Sequence, residues 1–197
     1  MFDGADDLSE ENQCAIHTSF SSNESWFYDW SEFCGEVVFQ PQDKEELQAA
    51  VNQYDMTCTT ESYGDINTWD VSLITDMIFL FDNLFNFNCD LSSWDVSNVT
   101  NMSYMFGSAD SFNGDISGWD VSSVTNMQEM FYNAETFNQD LSSWDVSNVT
   151  TMTGMFYNAS SFNQDLSAWD VSNVTNMSSI FVGTALSEEN QCAIHTS

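Results

Sequence analysis

Five Trp-Asp-Val triplets recur at a spacing of 25 residues, at Trp69, Trp94, Trp119, Trp144 and Trp169, with no residue inserted or lost between them. A fixed period of roughly 20 to 50 residues means one structural unit laid against copies of itself. Chains of this kind usually work by presenting a surface rather than by enclosing a catalytic cleft.

Whole columns recur with the triplet. Ile66, Leu91, Ile116, Leu141 and Leu166 form an aliphatic column, followed by Val71, Val96, Val121, Val146 and Val171. Then come Ile74, Val99, Val124, Val149 and Val174, and the column Met77, Met102, Met127, Met152 and Met177. Phe81, Phe106, Phe131, Phe156 and Phe181 repeat without change, and Phe87, Phe112, Phe137 and Phe162 precede Asn88, Asn113, Asn138 and Asn163. Regular apolar columns read as core, and the Met and Trp columns need no cofactor to explain them. Each repeat sends about seven or eight apolar side chains inward, on the order of 10 kcal/mol of gross burial before entropy. A lone repeat cannot bury them and a stack can. The Asn column is expected to be buried and to bond the backbone of its own and the next repeat.

Within a repeat, residues 90–96 read as a short β-like stretch, Ser97-Asn98 as a turn, Val99–Met102 as extended, and 104–109 as one helical or 3₁₀ turn. The fold class expected is an α/β solenoid, a leucine-rich-repeat-like right-handed stack of about five 25-residue coils. The string Phe137-Asn138-Gln139-Asp140-Leu141-Ser142-Ser143-Trp144-Asp145-Val146-Ser147-Asn148-Val149-Thr150 resembles the BspA-like leucine-rich-repeat surface proteins, and in particular their mycoplasma-lipoprotein-type repeat. The resemblance covers residues 64–184. It implies an extracellular or cell-surface location, with adhesion or matrix binding as one role, although fold alone does not fix function.

The ends carry a second repetition. Leu8–Ser19 recurs unchanged as Leu186–Ser197, an offset of 178 residues. Met1 aligns with a core column at Met155, so it does not read as an initiator. Neither a signal peptide nor an apolar membrane span is seen. The expectation is a tandem array of 178-residue modules. Its parts are residues 1–7 (the end of a preceding coil), 8–35 (a junction), 36–63 (a capping helix and lead-in), 64–185 (five coils) and 186–197 (the start of the next junction). Pro41 stands near the expected helix start, and Leu47, Ala50, Val51 and Tyr54 form its apolar stripe. The junction aromatics Phe20, Trp26, Tyr28 and Trp30 are expected to cover the last coil at Phe181.

Net charge is −30, with Lys44 the only basic residue. That excludes nucleic acid as a partner and disfavours anionic membranes. It suits solubility, a basic partner or cations. Carboxylates form two ladders, Asp65, Asp90, Asp115, Asp140, Asp165 and Asp70, Asp95, Asp120, Asp145, Asp170. At a strand-like spacing of ~4.8 Å each like pair costs roughly 1 kcal/mol in solvent. Two roles are open for these ladders, with Asp70, Asp95, Asp120, Asp145 and Asp170 the metal candidates: Ca²⁺ ligation through hard oxygens, or acceptance of backbone N–H bonds in tight turns.

Cys14, Cys34, Cys58, Cys89 and Cys192 show no metal-ligand spacing. Cys192 duplicates Cys14, and the remaining even set suggests disulfides Cys14–Cys34 and Cys58–Cys89. Asn23 and Asn158 are the glycosylation candidates among the Asn-x-Ser/Thr sequons, since the sequons at Asn98, Asn148 and Asn173 recur because their turn calls for Asn. His17 lies three residues from Cys14, a poor warrant for a catalytic pair. The Thr75, Thr100, Thr125, Thr150 and Thr175 column suits ice poorly, because its nearest hydroxyl column is three residues away rather than two. The function expected is non-enzymatic: a structural or adhesive module of an extracellular fibre or surface protein, joined to copies of itself end to end. An adhesin domain for a host or matrix protein is the alternative, with Ca-dependent or ice-binding variants behind it.

Overall fold

The computed structural model describes residues 38–53, 58–60 and 62–190, all but Val38 belonging to the second of two compact units, Met1–Val38 and Phe39–Ser197. The expected leading segment 1–7, the whole of the junction 8–35 and the closing residues 191–197 lie outside the described residues.

A helix opens the described chain. Helix α1, Lys44–Val51, starts at the N-cap Asp43, whose carboxylate accepts the Glu46 N–H at 2.9 Å. Glu46 reaches back to accept the Gln42 N–H at 2.8 Å, so side chains hold two backbone donors at the helix start. Pro41 therefore sits two residues before the cap, outside the helix. Leu47, Ala50 and Val51 are fully buried or nearly so, which fits the expected stripe; Tyr54 lies outside the described residues. The helix lies against the first repeat: Gln48 Nε2 donates to the Leu80 carbonyl at 3.1 Å, and Lys44 Nζ lies 3.7 Å from Asp76. That exposed ion pair adds little. A small antiparallel pair comes next, β1 (Thr59–Thr60) with β2 (Gly64–Asp65), then a 3₁₀ turn, Ile66–Thr68. Cys58 and Cys89 are disulfide-bonded, tying this lead-in to the second repeat.

From there each repeat lies directly against the next. Met77, Phe79, Phe81 and Asn83 donate their backbone N–H groups to the carbonyls of Asn101, Ser103, Met105 and Gly107 at 2.8 to 3.1 Å. The same alternate-residue set recurs one repeat on, from Met102, Tyr104, Phe106 and Ser108, and again from Met127 and from Met152. The intervening N–H groups turn inward on their own repeat, as in Leu80 to the Met77 carbonyl and Asp82 to the Phe79 carbonyl. Parallel bridges join equivalent positions, Asp76 with Asn101, Asn101 with Asn126, Asn126 with Thr151 and Thr151 with Asn176.

This bonding scheme displaces the local elements expected from sequence. Residues 90–96 and 99–102 form single bridges and turns rather than strands, and 104–109 form consecutive turns rather than a helical one. The reason is backbone geometry. Two positions per repeat are left-handed: Phe79, Tyr104, Glu129, Gly154 and Ser179, and Asn83, Ser108, Asn133, Asn158 and Gly183, with φ between 52° and 80°. A left-handed residue at the third place of a four-residue turn ends any helix, leaving its own N–H to point sideways while the next N–H closes the turn. Each non-glycine residue there costs of order 1–3 kcal/mol unless its surroundings hold it. The four repeat-to-repeat bonds that this conformation makes possible are what hold it.

Inside, the columns behave as core. Phe106, Phe131 and Phe156 are fully buried, and successive rings stack at 5.6 and 5.5 Å. Phe112, Phe137 and Phe162 form a second stacked column beside them. The five Trp residues of the repeats are only 2 to 5% exposed, and each indole N–H has an acceptor in the preceding chain. Trp94 donates to the Ile66 carbonyl, Trp119 to Leu91, Trp144 to Ile116 and Trp169 to Leu141, at 2.8 to 3.1 Å.

Candidate functional surface

Each residue of the Trp-Asp-Val-Ser motif has its own task. Trp fills the core and ties two repeats; Val fills the core beside it. The Asp between them closes a turn. Asp95 Oδ1 accepts the Ser97 N–H at 3.1 Å and the Ser97 hydroxyl at 2.6 Å, and Asp70 and Asp120 do the same with Ser72 and Ser122. Asp145 and Asp170 accept from the N–H groups of Ser147 and Ser172 at 3.0 Å. The other ladder is built alike: Asp65, Asp90, Asp115, Asp140 and Asp165 each accept the N–H two residues on. A third such turn, at Asp76, Asn101, Asn126 and Asn176, escapes a reading based on charge because Asn mostly fills it. Asx turns of this type offer the backbone a local partner wherever the chain changes direction.

The Asp70 to Asp170 ladder expected to attract Ca²⁺ is thus occupied in turn-making. Among the described residues no group of three or more His, Cys, Asp or Glu side chains converges to hold a metal. The carboxylates read as structural acceptors, and the Ca²⁺ expectation has no converging ligand set behind it. The chemistry shows in their acidity. Bonds from the Ser72, Ser122 and Ser147 hydroxyls, then from their N–H groups, hold Asp70, Asp120 and Asp145 below the usual carboxylate range. At Asp115, Asp140 and Asp170 the backbone N–H leads, with the same direction. Asp82 moves the other way, pushed up by burial.

A carboxylate whose folded pKa lies below its unfolded one stabilises the fold above the unfolded value, and that stabilisation is lost as pH falls through the folded pKa. Asp82, the one raised carboxylate among the described residues, opposes the six lowered ones. The midpoint of urea unfolding is therefore expected to hold between pH 7 and 5 and to fall below about pH 4. A midpoint that rises steadily down to about pH 3 would mean relief of charge repulsion outweighs the turns.

Asn88, Asn113, Asn138 and Asn163 are exposed, not buried as the sequence suggested, yet the ladder is continuous: each Oδ1 accepts a backbone N–H one repeat on, at 2.8 to 2.9 Å. The Thr hydroxyls of the expected ice-facing column donate along the stack, Thr100 to the Thr75 carbonyl and Thr125 to Thr100. Asn158 is exposed and left-handed, and its Nδ2 donates to Asn133 Oδ1 at 3.1 Å. Cys14, Cys34, Asn23, Phe20, Trp26, Tyr28 and Trp30 lie outside the described residues. Among the described residues no helix is long and apolar enough to cross a membrane.

The stack has unlike ends. At the first repeat α1 covers the core and Gln48 supplies a donor to the Leu80 carbonyl. At the last repeat Val171, Val174, Met177 and Phe181 are only partly buried, whereas Val146, Val149, Met152 and Phe156 one repeat earlier are 0 to 1% exposed. The N–H groups of Met177, Ser179, Phe181 and Gly183 stand where every earlier repeat donates forward, and they have no acceptor among the described residues. One part of that edge is covered. Leu186 is buried, Ser187 N–H donates to Asn163 Oδ1 at 2.8 Å, and Asn190 Nδ2 donates to the Asn163 carbonyl at 2.9 Å.

The chain matches the family model described as "Mycoplasma protein of unknown function, DUF285" over residues 46–163 and again over 118–193. No curated protein and no solved structure matches it. The first matched stretch alone is more than half of the chain, and most of the Trp, Phe and Asn columns fall within it; the protein belongs to this mycoplasma repeat family, the BspA-like one.

Proposed function

We propose that the five repeats form one continuous right-handed solenoid of the leucine-rich-repeat type, and that the protein is a non-enzymatic structural or adhesive module of an extracellular fibre or cell-surface protein. The observation that carries the reading is the unlike pair of ends, one covered by α1 and one with a partly buried core and a row of N–H donors that have no acceptor among the described residues. A contact between unlike ends is heterologous and does not close on itself, so it propagates along a line. The 178-residue offset between the two copies of Leu8–Ser19 gives the length of one unit. The turn-making carboxylates support the same reading, since they leave a solvated acidic sheath that keeps lateral neighbours apart.

Electron microscopy of the native material tests this. Fibres with one 178-residue unit per axial repeat are the expected result. Isolated globular particles at all concentrations would contradict it.

A further inference from the structure

We infer that the open end of the last repeat is a backbone-recognition edge, and that its occupant is the aromatic stretch Phe20–Phe33 of the neighbouring module. The inference rests on the end-to-end reading and names the partner of that same surface.

The edge specifies what it can take. Its donors, at Met177, Ser179, Phe181 and Gly183, fall on alternate residues. Each earlier repeat shows the complement: a segment of consecutive turns running parallel, with carbonyls at alternate residues, as Asn101, Ser103, Met105 and Gly107 present them to Met77, Phe79, Phe81 and Asn83. Main-chain bonding of this kind gives affinity, and the side-chain pockets give selectivity. Here the pockets are apolar, lined by Val171, Val174, Met177 and Phe181.

Two candidate occupants can be separated. The first repeat of a second copy would bring the right carbonyls, but α1 lies over it and Gln48 already bonds the Leu80 carbonyl. An intact copy cannot extend the stack by adding its own first repeat. The remaining occupant is reached by continuity. Leu186–Asn190 already starts to cover the edge, through the Ser187 and Asn190 bonds to Asn163. The twelve residues that begin there occur also at Leu8–Ser19, where the chain continues into Phe20, then Trp26-Phe27-Tyr28-Asp29-Trp30 and Phe33. A stretch that rich in aromatics, in a chain carrying −30 charge, supplies the apolar area the pockets lack. Its acids Glu24, Asp29 and Glu32 suit a row of N–H donors that have no acceptor among the described residues.

The test is a synthetic peptide of residues 20–35, with Cys34→Ser to prevent oxidation, titrated into the full chain. Ionic strength is held near 0.15 M so that like-charge repulsion is screened. Binding at ~100 µM or tighter is expected. Amide exchange at Met177, Ser179, Phe181 and Gly183 is expected to slow by about 10-fold or more, with the even-numbered neighbours unchanged. A peptide with Trp26→Ser and Trp30→Ser should bind at least ~10-fold more weakly, and this arm leaves the protein untouched. Val174→Glu should weaken the parent peptide by a similar factor of about 10. No binding, protection at other amides, or equal affinity for the two peptides would overturn the assignment. Fibres without peptide binding would sink only the named segment. Peptide protection without fibres would keep the docking edge and remove the end-to-end reading.

Discussion

Replacing Phe131 by alanine is expected to lower the free energy of unfolding by about 3–5 kcal/mol. Phe131 is fully buried, with ring centroids 5.6 Å from Phe106, 3.9 Å from Phe137 and 5.5 Å from Phe156. Rings held from both neighbouring repeats leave little room for collapse, so the cavity persists and the transfer loss is compounded. The same change at Phe181 should cost roughly 1 kcal/mol, because among the described residues that ring is stacked on Phe156 alone and is partly open. Urea melts of the two variants decide it. Equal losses would mean that the last repeat is as enclosed as the middle one.

Excising one whole repeat should do less damage than excising half of one. Removal of residues 114–138 takes out 25 residues and joins Asn113 to Gln139, so every column stays in register. The shortened protein is expected to unfold cooperatively and to lose about 1–4 kcal/mol, the usual net stability of 25 residues. Removal of residues 114–125 deletes fewer residues but sets Trp, Phe and Asn columns against the wrong neighbours. That variant is expected not to fold at all. Circular dichroism melts distinguish the two, and the opposite ranking would mean that the repeats do not depend on one another's register.

The 25-residue period, the core columns and the helix against the first repeat were legible because each follows from the spacing and size of side chains. Leu47, Ala50 and Val51 form a stripe whatever the backbone does later. The local elements were not legible, and the cause is particular. Phe79, Tyr104 and Glu129 occupy left-handed positions that propensity assigns to Gly or Asn. In that column Gly154 alone hinted at it, whereas the second left-handed column carries Asn83, Asn133, Asn158 and Gly183. Bonding to the next repeat overrides local preference there. The Asp ladders looked like charge problems seeking a cation; the Ser two residues on was the signal that they close turns. The exposed Asn column misled for a related reason: its Oδ1 atoms bond a neighbour's backbone at the surface, where no burial is needed. The end of the stack at Phe181 was legible from where the columns stop; the row of donors along it was not, because Met177 and Met152 are identical in sequence and differ only in what lies beyond them.

The central claim is that equivalent residues of successive repeats lie one strand spacing apart along a line. Paired cysteines measure it directly. Thr100 and Thr125 occupy equivalent exposed positions, and the Thr125 hydroxyl donates to the Thr100 carbonyl at 3.1 Å. A Thr100→Cys/Thr125→Cys variant places the two Cα atoms about 5 Å apart, within disulfide reach, whereas Thr100→Cys/Thr150→Cys doubles that distance to ~10 Å and exceeds it. Peptide mapping by mass spectrometry after mild oxidation is expected to find the 100–125 bridge and no 100–150 bridge. A 100–150 bridge, or none from either pair, would contradict the stacking of one repeat on the next.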